Sequence, residues 1–352
     1  MTAIRVAHAG ADYEILITGL ADALPRLADI GAGRRLPLIS DPRVFGLYGR
    51  RLASIALDPP IQVPEGEAAK DWAVLAEIID RLAALDVKRG TPIIALGGGS
   101  VGDVAGLAAS VFKRGCPIIH VPTTLLAQAD SAIGGKTAID AAGQKNLVGS
   151  FHHPSLVIAD PSLLDTLDQR QLRSGYAEVV KYGLIGDPGF FEWCEANGGA
   201  VVAGAGTARC AAIEHCVRAK ARFVAADPDD TNGTRALLNF GHTFGHAIEI
   251  LAGRDLLHGE AVALGMMLAF EFSAELGLCA ARDAERLKRH LQSAALPTSV
   301  GDVGLEGSAI FSAMQSDKKA TADGPTLILT RGVGQAFVAP GVDAGRLADF
   351  LG

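Results

Sequence analysis

The segment Pro92–Gly106 (PIIALGGGSVGDVAG) gives the clearest indication of the fold. Its first residues, Pro92–Leu96, form a short apolar run typical of a buried strand, and three glycines, Gly97–Gly99, follow it directly. A helical pattern then runs from Val101 to Val111. Glycines let a pyrophosphate approach the backbone closely, and the start of a helix offers free N–H groups and a positive dipole end. The segment therefore predicts one βα unit of a parallel sheet with a nucleotide site at its loop.

This glycine-rich loop departs from the usual dinucleotide fingerprint in two ways. It lies near residue 97 and not in the first βα unit, and no acidic residue ends the following strand about 20 residues on. Asp41, at the end of an earlier predicted strand, is a candidate to hold the adenosine ribose instead. The alternative interpretation is a tight structural turn in which Asp103 is only a favourable acid at a helix start.

The flanking sequence extends this unit into a domain and then changes character. Further buried strands are predicted over Leu36–Ser40 and Pro117–Val121, with a helix over Trp72–Leu85 between them, which indicates βαβ units. After about residue 165 helical spacing dominates. Helices are predicted over Gln171–Leu184, Ala208–Val224, Arg235–Leu251, His258–Leu276 and Ala281–Ser293, and one strand over Thr326–Leu329. We therefore expect a Rossmann-like α/β domain over residues 1–165, an all-α domain over 166–352, and a small-molecule site in a cleft between them.

Composition limits the possible functions. A length of 352 residues suits two domains, and the formal net charge of −7 argues against a general nucleic-acid binder, which needs a basic surface. The five cysteines form no C-x-x-C pair, so we expect buried reduced thiols. The first residues lack a signal-peptide pattern, and the apolar run Ala261–Phe270 is too short to span a bilayer. These features predict a cytoplasmic protein with no membrane or nucleic-acid partner.

Histidines and acids in the second half suggest a metal site. His242 and His246 are four residues apart and share one face of a predicted helix, and His258 begins the next helix. Glu178 and Lys181 lie three residues apart on a mostly apolar helix, where an ordinary surface ion pair is the simpler explanation. Spacing alone leaves open which three side chains bind a metal. The candidates are Glu178, His242, His246, His258, Glu249 and Glu260.

Basic residues at special places suggest an anion pocket. Lys136 and Lys145 lie in a glycine-rich stretch after the third predicted strand, where α/β domains place their ligands. Arg114 follows the helix of the glycine-rich loop, Arg235 starts the predicted histidine helix, and Lys318–Lys319 come late in the chain. Each alone is most simply a solvated charge, but together they could hold an acidic substrate.

Several blocks of sequence resemble the 3-dehydroquinate synthase family, in the order found there, over nearly the whole chain. The blocks are GGGSVGDVAG, VPTTLLAQADSAIGGKTAID, QKNLVG, GYAEVVKYG, RALLNFGHTFGHAIE, LHGEAVALGM and DKK. The resemblance implies a nucleotide-binding α/β domain followed by a helical metal-binding domain, in a homodimer.

The resemblance also implies roles for individual residues. It implies a divalent metal, Zn²⁺ or Co²⁺, bound by Glu178, His242 and His258. It also implies that His246 contacts the substrate and does not bind the metal. It implies NAD contacts at Asp41, Glu67, Lys70, Gly98, Gly99, Asp103, Thr123, Thr124, Lys136, Lys145, Thr166 and Leu167. It implies substrate contacts at Arg114, Asp130, Lys136, Asn146, Lys181, Lys220, Arg235, Asn239, His246 and one of Lys318 or Lys319.

The implied reaction turns 3-deoxy-D-arabino-heptulosonate 7-phosphate into 3-dehydroquinate and phosphate, as a step of aromatic amino-acid biosynthesis. The family oxidises one hydroxyl with NAD, eliminates phosphate, reduces the ketone again, opens the ring and closes it as an aldol. A Lewis-acid metal suits the oxidation, and Lys and Arg suit a carboxylate and a phosphate. Because the hydride goes out and returns, NAD has no net turnover.

Some residues depart from the family pattern. Asp140 stands where many relatives have Asn, and Asp168-Gln169 replaces a common Pro-Pro. The stretch from Lys220 to the metal histidines is one residue longer than usual, so Arg218 or Arg222 could take the place of Lys220.

Two other classes of enzyme remain as alternatives. A cyclase acting on sedoheptulose 7-phosphate would alter the positions of Asn239 and His246, and both residues are present here. A metal-dependent alcohol dehydrogenase of the glycerol dehydrogenase type shares the glycine-rich loop but would lack the GGK and K-N blocks. A non-catalytic NAD-binding module would have lost a metal ligand.

Overall fold

The computed structural model describes residues 1–7, 12–204, 206–228, 230–316 and 325–352. These residues divide into two compact units. The first comprises Met1–Leu167 together with Cys210–Asp229, and the second comprises Asp168–Arg209 together with Asp230–Gly352. The helix that contains Cys210 therefore contributes residues to both units.

The first unit is built on a seven-stranded sheet. The strands of the chain are β1 (Thr2–Val6), β2 (Tyr13–Ile17), β3 (Leu38–Ser40), β4 (Ile61–Gln62), β5 (Ile93–Gly97), β6 (Ile118–Pro122), β7 (Lys136–Ala141), β8 (Gln144–Phe151), β9 (Leu156–Ala159), β10 (Leu327–Thr330) and β11 (Ala336–Ala339). The sheet order is β1-β2-β9-β6-β5-β3-β4, with β1 antiparallel to β2 and every other neighbouring pair parallel. Strands β7 and β8 form a separate antiparallel hairpin.

The helices cover both faces of this sheet. Those of the first part of the chain are α1 (Leu20–Gly31), α2 (Pro42–Tyr48), α3 (Trp72–Ala84) and α4 (Gly99–Val111). Strand β5 is buried on both faces: Ile93 and Ala95 pack in a core with α3 and α4, whereas Ile94 and Leu96 pack in a core with α1 and α2. A strand buried on both sides reads as a continuous apolar run, which is why this segment could be identified from sequence.

The second unit is mostly helical. The remaining helices are α5 (Gln169–Gly186), α6 (Pro188–Ala203), α7 (Gly206–Ala226), α8 (His242–Ala252), α9 (His258–Glu275), α10 (Ala281–Ser293), α11 (Gly307–Ser316) and α12 (Ala344–Leu351). A two-stranded hairpin, β10–β11, accompanies the helices of this unit. Within the described residues, no helix combines the length and the apolar character needed to cross a membrane.

One predicted helix is wrong as a single element. Arg235–Leu251 is divided into a 3-10 turn, Thr234–Asn239, and helix α8. The division occurs at Gly241, whose φ of +81° is unsuited to a continuous helix and makes it the N-cap of α8. Arg235 therefore lies in the turn and does not start the histidine helix.

Candidate active site

Helix α4 starts directly at the glycine-rich loop. A methyl group added at Gly98 would lie 3.1 Å from Thr124 Cγ2, and one added at Gly99 would lie 3.1 Å from Ser131 Oγ. The loop borders a small pocket whose lining includes Lys136. Because these glycines have no Cβ atom, the backbone N–H groups at the N-terminus of the helix remain accessible, and a phosphate can approach them closely. The loop thus has the local geometry expected of a dinucleotide site.

Acids and a lysine surround this loop within the first unit. Asp41 follows β3, which pairs with β5, and its side chain accepts a 2.8 Å hydrogen bond from the Val44 N–H. Lys70 Nζ lies 2.8 Å from Asp103 Oδ2 and 3.9 Å from Glu67 Oε2. Three of the residues expected to contact NAD are therefore joined by direct ion pairs.

Two residues expected to contact substrate meet at the segment after β6. Asp130 lies in a π-helix, Ala127–Ser131, a form of helix frequent at functional sites. Lys220 Nζ, on α7, forms an ion pair with the Asp130 carboxylate and a 2.9 Å hydrogen bond to its carbonyl oxygen. Arg218 and Arg222 are both exposed, and Arg218 pairs with Glu214. The contact with Asp130 supports Lys220, and not its two neighbours, as the candidate residue.

Sequence reasoning missed two side chains that support this segment. Gln128 is fully buried, and its Nε2 donates to the carbonyl oxygens of Pro122 at 2.9 Å and Asp160 at 2.8 Å. The Tyr13 hydroxyl accepts a 3.1 Å hydrogen bond from the Gly134 N–H, two residues before Lys136. Gln128 lies in the block VPTTLLAQADSAIGGKTAID, so the sequence could have indicated it as a candidate. Tyr13 lies far from this block in the sequence and belongs to no motif.

The other residues of the first unit that are expected to contact NAD lie outside this group of ion pairs. Thr123 N–H donates to Gly97 O at 2.9 Å, and the Thr166 hydroxyl contacts the hydroxyl of Tyr48. Lys145 is exposed on β8, and Leu167 is the last residue of the first segment of this unit. Their roles toward NAD stay predictions.

Arg114 is not brought to the glycine-rich loop within this unit. It lies in the turn that follows α4, whereas the loop precedes α4, and a 13-residue helix is about 20 Å long. Arg114 lines a different cleft, which it shares with Arg89 and His152. Its expected contact with substrate stays a prediction.

The candidate metal ligands come together in the second unit. Ligand atoms of Glu178, His242 and His258 all lie within 4.8 Å of one another. Glu178 Oε1 is 3.5 Å from His242 Nε2 and 3.2 Å from His258 Nε2. The other carboxylate oxygen, Oε2, lies 2.6 Å from Lys181 Nζ, and both side chains of this pair are 1% exposed. The arrangement offers one buried carboxylate and two imidazoles, a common set of zinc ligands.

The state of His242 suits a bound cation. Burial lowers the pKa of His242 to about 3, so the ring is neutral. Its Nδ1 lies 3.2 Å from the Phe240 carbonyl oxygen, which places the proton on Nδ1. The lone pair of Nε2 then faces Glu178 Oε1, and two acceptors that face each other at this distance favour a cation between them. These residues therefore fit a divalent metal.

His258 has an acidic partner on each ring nitrogen. Its Nδ1 lies 3.4 Å from Glu249 Oε2, on the side away from Glu178. Burial alone would lower the pKa of His258, but hydrogen bonds to Glu178 and Glu249 outweigh this effect and raise the pKa to about 10. Metal-bound histidines commonly donate their second N–H to a carboxylate. Glu249, one of the six ligand candidates, has the position of this supporting partner.

Glycines bring the metal-bearing helices close together. A Cβ added at Gly265 on α9 would lie 1.9 Å from Gly241 O, and one added at Gly259 would lie 1.8 Å from Ser174 O on α5. The Ser174 hydroxyl also accepts a 3.0 Å hydrogen bond from the Gly259 N–H. These approaches fix α5, α8 and α9 relative to one another and hence fix the three ligands they carry.

The remaining candidates of the second unit differ in burial. Arg235 is 2% exposed in its 3-10 turn, whereas Asn239 and His246 are exposed. The ring of His246 lies 5.5 Å from that of His242, centroid to centroid. Lys318 and Lys319 lie outside the described residues, so the choice between them stays open.

Comparison with known proteins gives the family. The N-terminal model of 3-dehydroquinate synthase matches residues 60–174, and the C-terminal model matches residues 175–320. A 3-dehydroquinate synthase from Caulobacter vibrioides is 48% identical over 96% of this chain and 95% of its own length.

Two solved structures confirm the predicted fold class. A 2-deoxy-scyllo-inosose synthase with carbaglucose-6-phosphate, NAD⁺ and Co²⁺ has a TM-score of 0.89 at 26% identity, covering 99% of each chain. A 2-epi-5-epi-valiolone synthase from Streptomyces hygroscopicus with NAD⁺ and Zn²⁺ also has a TM-score of 0.89, at 30% identity, covering 98% of this chain and 97% of its own. With both family models matched and close relatives aligned almost end to end, this chain belongs to the 3-dehydroquinate synthase family.

Proposed function

We propose that this protein is a 3-dehydroquinate synthase, a carbon–oxygen lyase acting on phosphate. It converts 3-deoxy-D-arabino-heptulosonate 7-phosphate to 3-dehydroquinate and phosphate. The observation that carries the proposal is the cluster of the buried Glu178 with the half-buried His242 and His258, beside Lys181, in a chain 48% identical to a relative of that name. A protein that only bound NAD would have no use for this cluster.

The proposed cofactors are NAD and one divalent metal, Zn²⁺ or Co²⁺. The two structural relatives were solved with NAD⁺ and Co²⁺ or Zn²⁺. Glu178, His242 and His258 would hold the metal, and the glycine-rich loop with Asp41 and Asp103 would hold NAD. When bound, the metal supplies a Lewis acid and NAD supplies a hydride acceptor that is regenerated in each cycle.

The protein's own side chains bind and orient the substrate. Lys181 is held rigidly, because its ammonium group contacts Glu178 Oε2 at 2.6 Å in a buried position. We assign Lys181, Lys136 and Arg235 to the substrate's anionic groups, where charge-assisted hydrogen bonds are strongest. In the elimination step, the substrate's own phosphate group accepts the proton that the substrate loses. The protein therefore mainly positions the substrate.

Lys220 and Asp130 form a second orienting pair. The ion pair keeps the Lys220 ammonium group fixed at the π-helix, and Asp130 would accept a hydrogen bond from a substrate hydroxyl. Asn239, His246 and Asn146 would add neutral polar contacts. Arg114 and one of Lys318 or Lys319 complete the proposed set.

Assembly and location are further parts of the proposal. We propose a homodimer in the cytoplasm, as in the family that the sequence blocks resemble. We also propose that residues 1–165 form the NAD-binding domain and residues 166–352 the metal- and substrate-binding domain. Gel filtration with light scattering would give twice the chain mass of 36.4 kDa if the dimer is right.

Phosphate release tests the function directly. The purified protein is reconstituted with NAD and Zn²⁺ or Co²⁺ and offered either the deoxy-heptulosonate phosphate or sedoheptulose 7-phosphate. Absorbance at the NADH band is followed in parallel. We expect phosphate from the acid alone, abolished by a chelator, with no accumulation of NADH. Turnover of sedoheptulose 7-phosphate alone would indicate a sister cyclase, and steady NADH formation without phosphate would indicate a dehydrogenase.

A further inference from the structure

Asp140 joins two parts of the first unit that carry candidate ligands. Its Oδ1 accepts a 2.8 Å hydrogen bond from the Asn146 N–H, across the hairpin turn between β7 and β8. Its own N–H donates a 2.9 Å hydrogen bond to the Lys70 carbonyl oxygen. One residue therefore contacts the backbone of both Asn146 and Lys70.

The Asn146 backbone has an uncommon conformation. Its φ of +54° lies in the left-handed region, which residues other than glycine seldom adopt and which asparagine adopts more readily than most. The pairing of β7 with β8 is also irregular here, with a register shift between Ile139 and Ala141. Irregularities of this kind redirect a side chain near active sites. The hydrogen bond from the Asn146 N–H to Asp140 stabilises this conformation.

The redirected side chain completes a closed set of contacts. Asn146 Oδ1 accepts a hydrogen bond from Lys70 Nζ, which also donates to Asp103 Oδ2 at 2.8 Å. Asp140, Asn146 and Lys70 are thus linked in a ring, with two backbone contacts and one side-chain contact. Displacement of Asn146 would alter the environment of the Lys70 ammonium group.

Charge keeps this ring together. Lys70 is 5% exposed, and burial alone would lower its pKa. Asp103 and Glu67, with the smallest contribution coming from Asp140, outweigh this effect and raise the pKa of Lys70, so the ammonium group stays charged and bound to its acceptors.

We propose that Asp140 is a positioning residue that sets Lys70 and Asn146 relative to each other, and so couples the NAD site to the substrate site. The identification of the two ligands as NAD and the sugar-acid phosphate rests on the proposed function. The part of Asp140 that matters is an acceptor oxygen at the Asn146 N–H, and an asparagine side chain supplies one as well.

Two substitutions at Asp140 separate positioning from general stability. Asp140→Ala removes the acceptor, and Asp140→Asn retains it at the same distance from the backbone. Asp80→Ala is the matched control, because Asp80 is an exposed acid on α3. Each protein is titrated with NAD alone by calorimetry, assayed for KM and kcat, and melted thermally.

We expect the alanine variant to bind NAD about tenfold more weakly and to raise substrate KM about tenfold, as for loss of a hydrogen bond between a charged and a neutral group. Its kcat should stay within about threefold of wild type, since only binding contacts are disturbed. The asparagine variant and the control should remain within about twofold of wild type. If the alanine variant fails to fold, Asp140→Ser replaces it, because a serine hydroxyl is too short to reach the Asn146 N–H.

Two results would overturn the role of Asp140. One is a folded alanine or serine variant with wild-type NAD affinity and KM, and the other is an asparagine variant as impaired as the alanine variant. Failure of the wild-type protein itself to bind NAD would refute the proposed function, and with it the coupling.

Discussion

At the residue scale, the candidate metal site depends on the tautomer of one histidine. His242 directs its Nδ1 proton to the Phe240 carbonyl, so Nε2 is left as an acceptor facing Glu178. Helical spacing alone favoured His242 with His246, whereas the grouped ligand atoms are those of Glu178, His242 and His258. A spacing of four residues places two rings on one face, but it does not show which ring meets a carboxylate from another helix.

Paired substitutions of the two histidines on α8 test this distinction. We expect His242→Asn to lose its metal, with affinity for Zn²⁺ at least about 100-fold weaker, because one of three ligands is removed. His246→Asn should retain close to one metal per chain and lose turnover only. Metal content after dialysis, measured by plasma emission spectroscopy, checks both. Equal metal loss in the two variants would contradict the proposed ligand set.

At the element scale, close helix contacts position the metal ligands. Gly265 on α9 approaches the carbonyl of Gly241 so closely that an added Cβ would lie 1.9 Å from it. His242 follows Gly241 at the start of α8, so any movement of α8 away from α9 moves a ligand. Sequence periodicity predicted α9, and it predicted α8 only as part of one longer helix over Arg235–Leu251. It could not predict their separation, because that depends on which glycines face each other.

Substitution of Gly265 should therefore disturb both stability and metal binding. We expect Gly265→Ala to destabilise the fold by about 2 kcal/mol, in the range for overpacking of a core, and to weaken metal binding. Gly199→Ala is the control, since Gly199 is exposed on α6 and an added Cβ would meet no atom of the described residues within 4 Å. The control should be neutral or slightly more stable. Urea unfolding and metal content measure the two effects, and equal unfolding midpoints for the two variants would argue against the close contact.

Local pattern explains which elements could be predicted. Strands β5 and β6 follow from apolar runs, within one residue of the predicted bounds. Strands β1 and β2 pair with each other and β2 with β9, which is far away in the sequence, and no local pattern indicates such a partner. The hairpin β7–β8 was also missed, because the exposed residues of β8 give it little apolar content.

At the scale of the whole molecule, the free energy of unfolding should depend on pH through His120. This side chain is 6% exposed on β6, and burial, aided by the nearby charge of His152, lowers its pKa to about 4. Between pH 6.5 and 4 the unfolded chain binds a proton that the folded chain does not. Stability is therefore lost as pH falls through this window, by up to about 3 kcal/mol.

A His120→Gln variant isolates this contribution. Because glutamine does not titrate, the variant should lose less stability than the wild type between pH 6.5 and 4. Urea unfolding of both proteins across this range, in the same metal-free buffer, gives the difference. If the free energy of unfolding changed with pH by the same amount in both proteins, His120 would have its ordinary pKa in the folded state.

The division of the chain into units was the hardest feature to foresee. The sequence suggested one change of character near residue 165, and the first compact unit does include Met1–Leu167. It also includes Cys210–Asp229, which carries Lys220 and lies within a helical region of the sequence. Helical spacing describes α7 correctly but says nothing about the unit to which each part of that helix belongs.

The two outer strands of the large sheet affect how the protein behaves at high concentration. Strand β4 at one edge is only two residues long, so it presents few backbone groups to another chain. At the other edge, β1 carries Arg5, which pairs with Asp12 at 2.5 Å. Short edges and charged edges both oppose strand-to-strand polymerisation. A seven-stranded sheet with such ends should resist growing into fibrils, even where the protein is abundant.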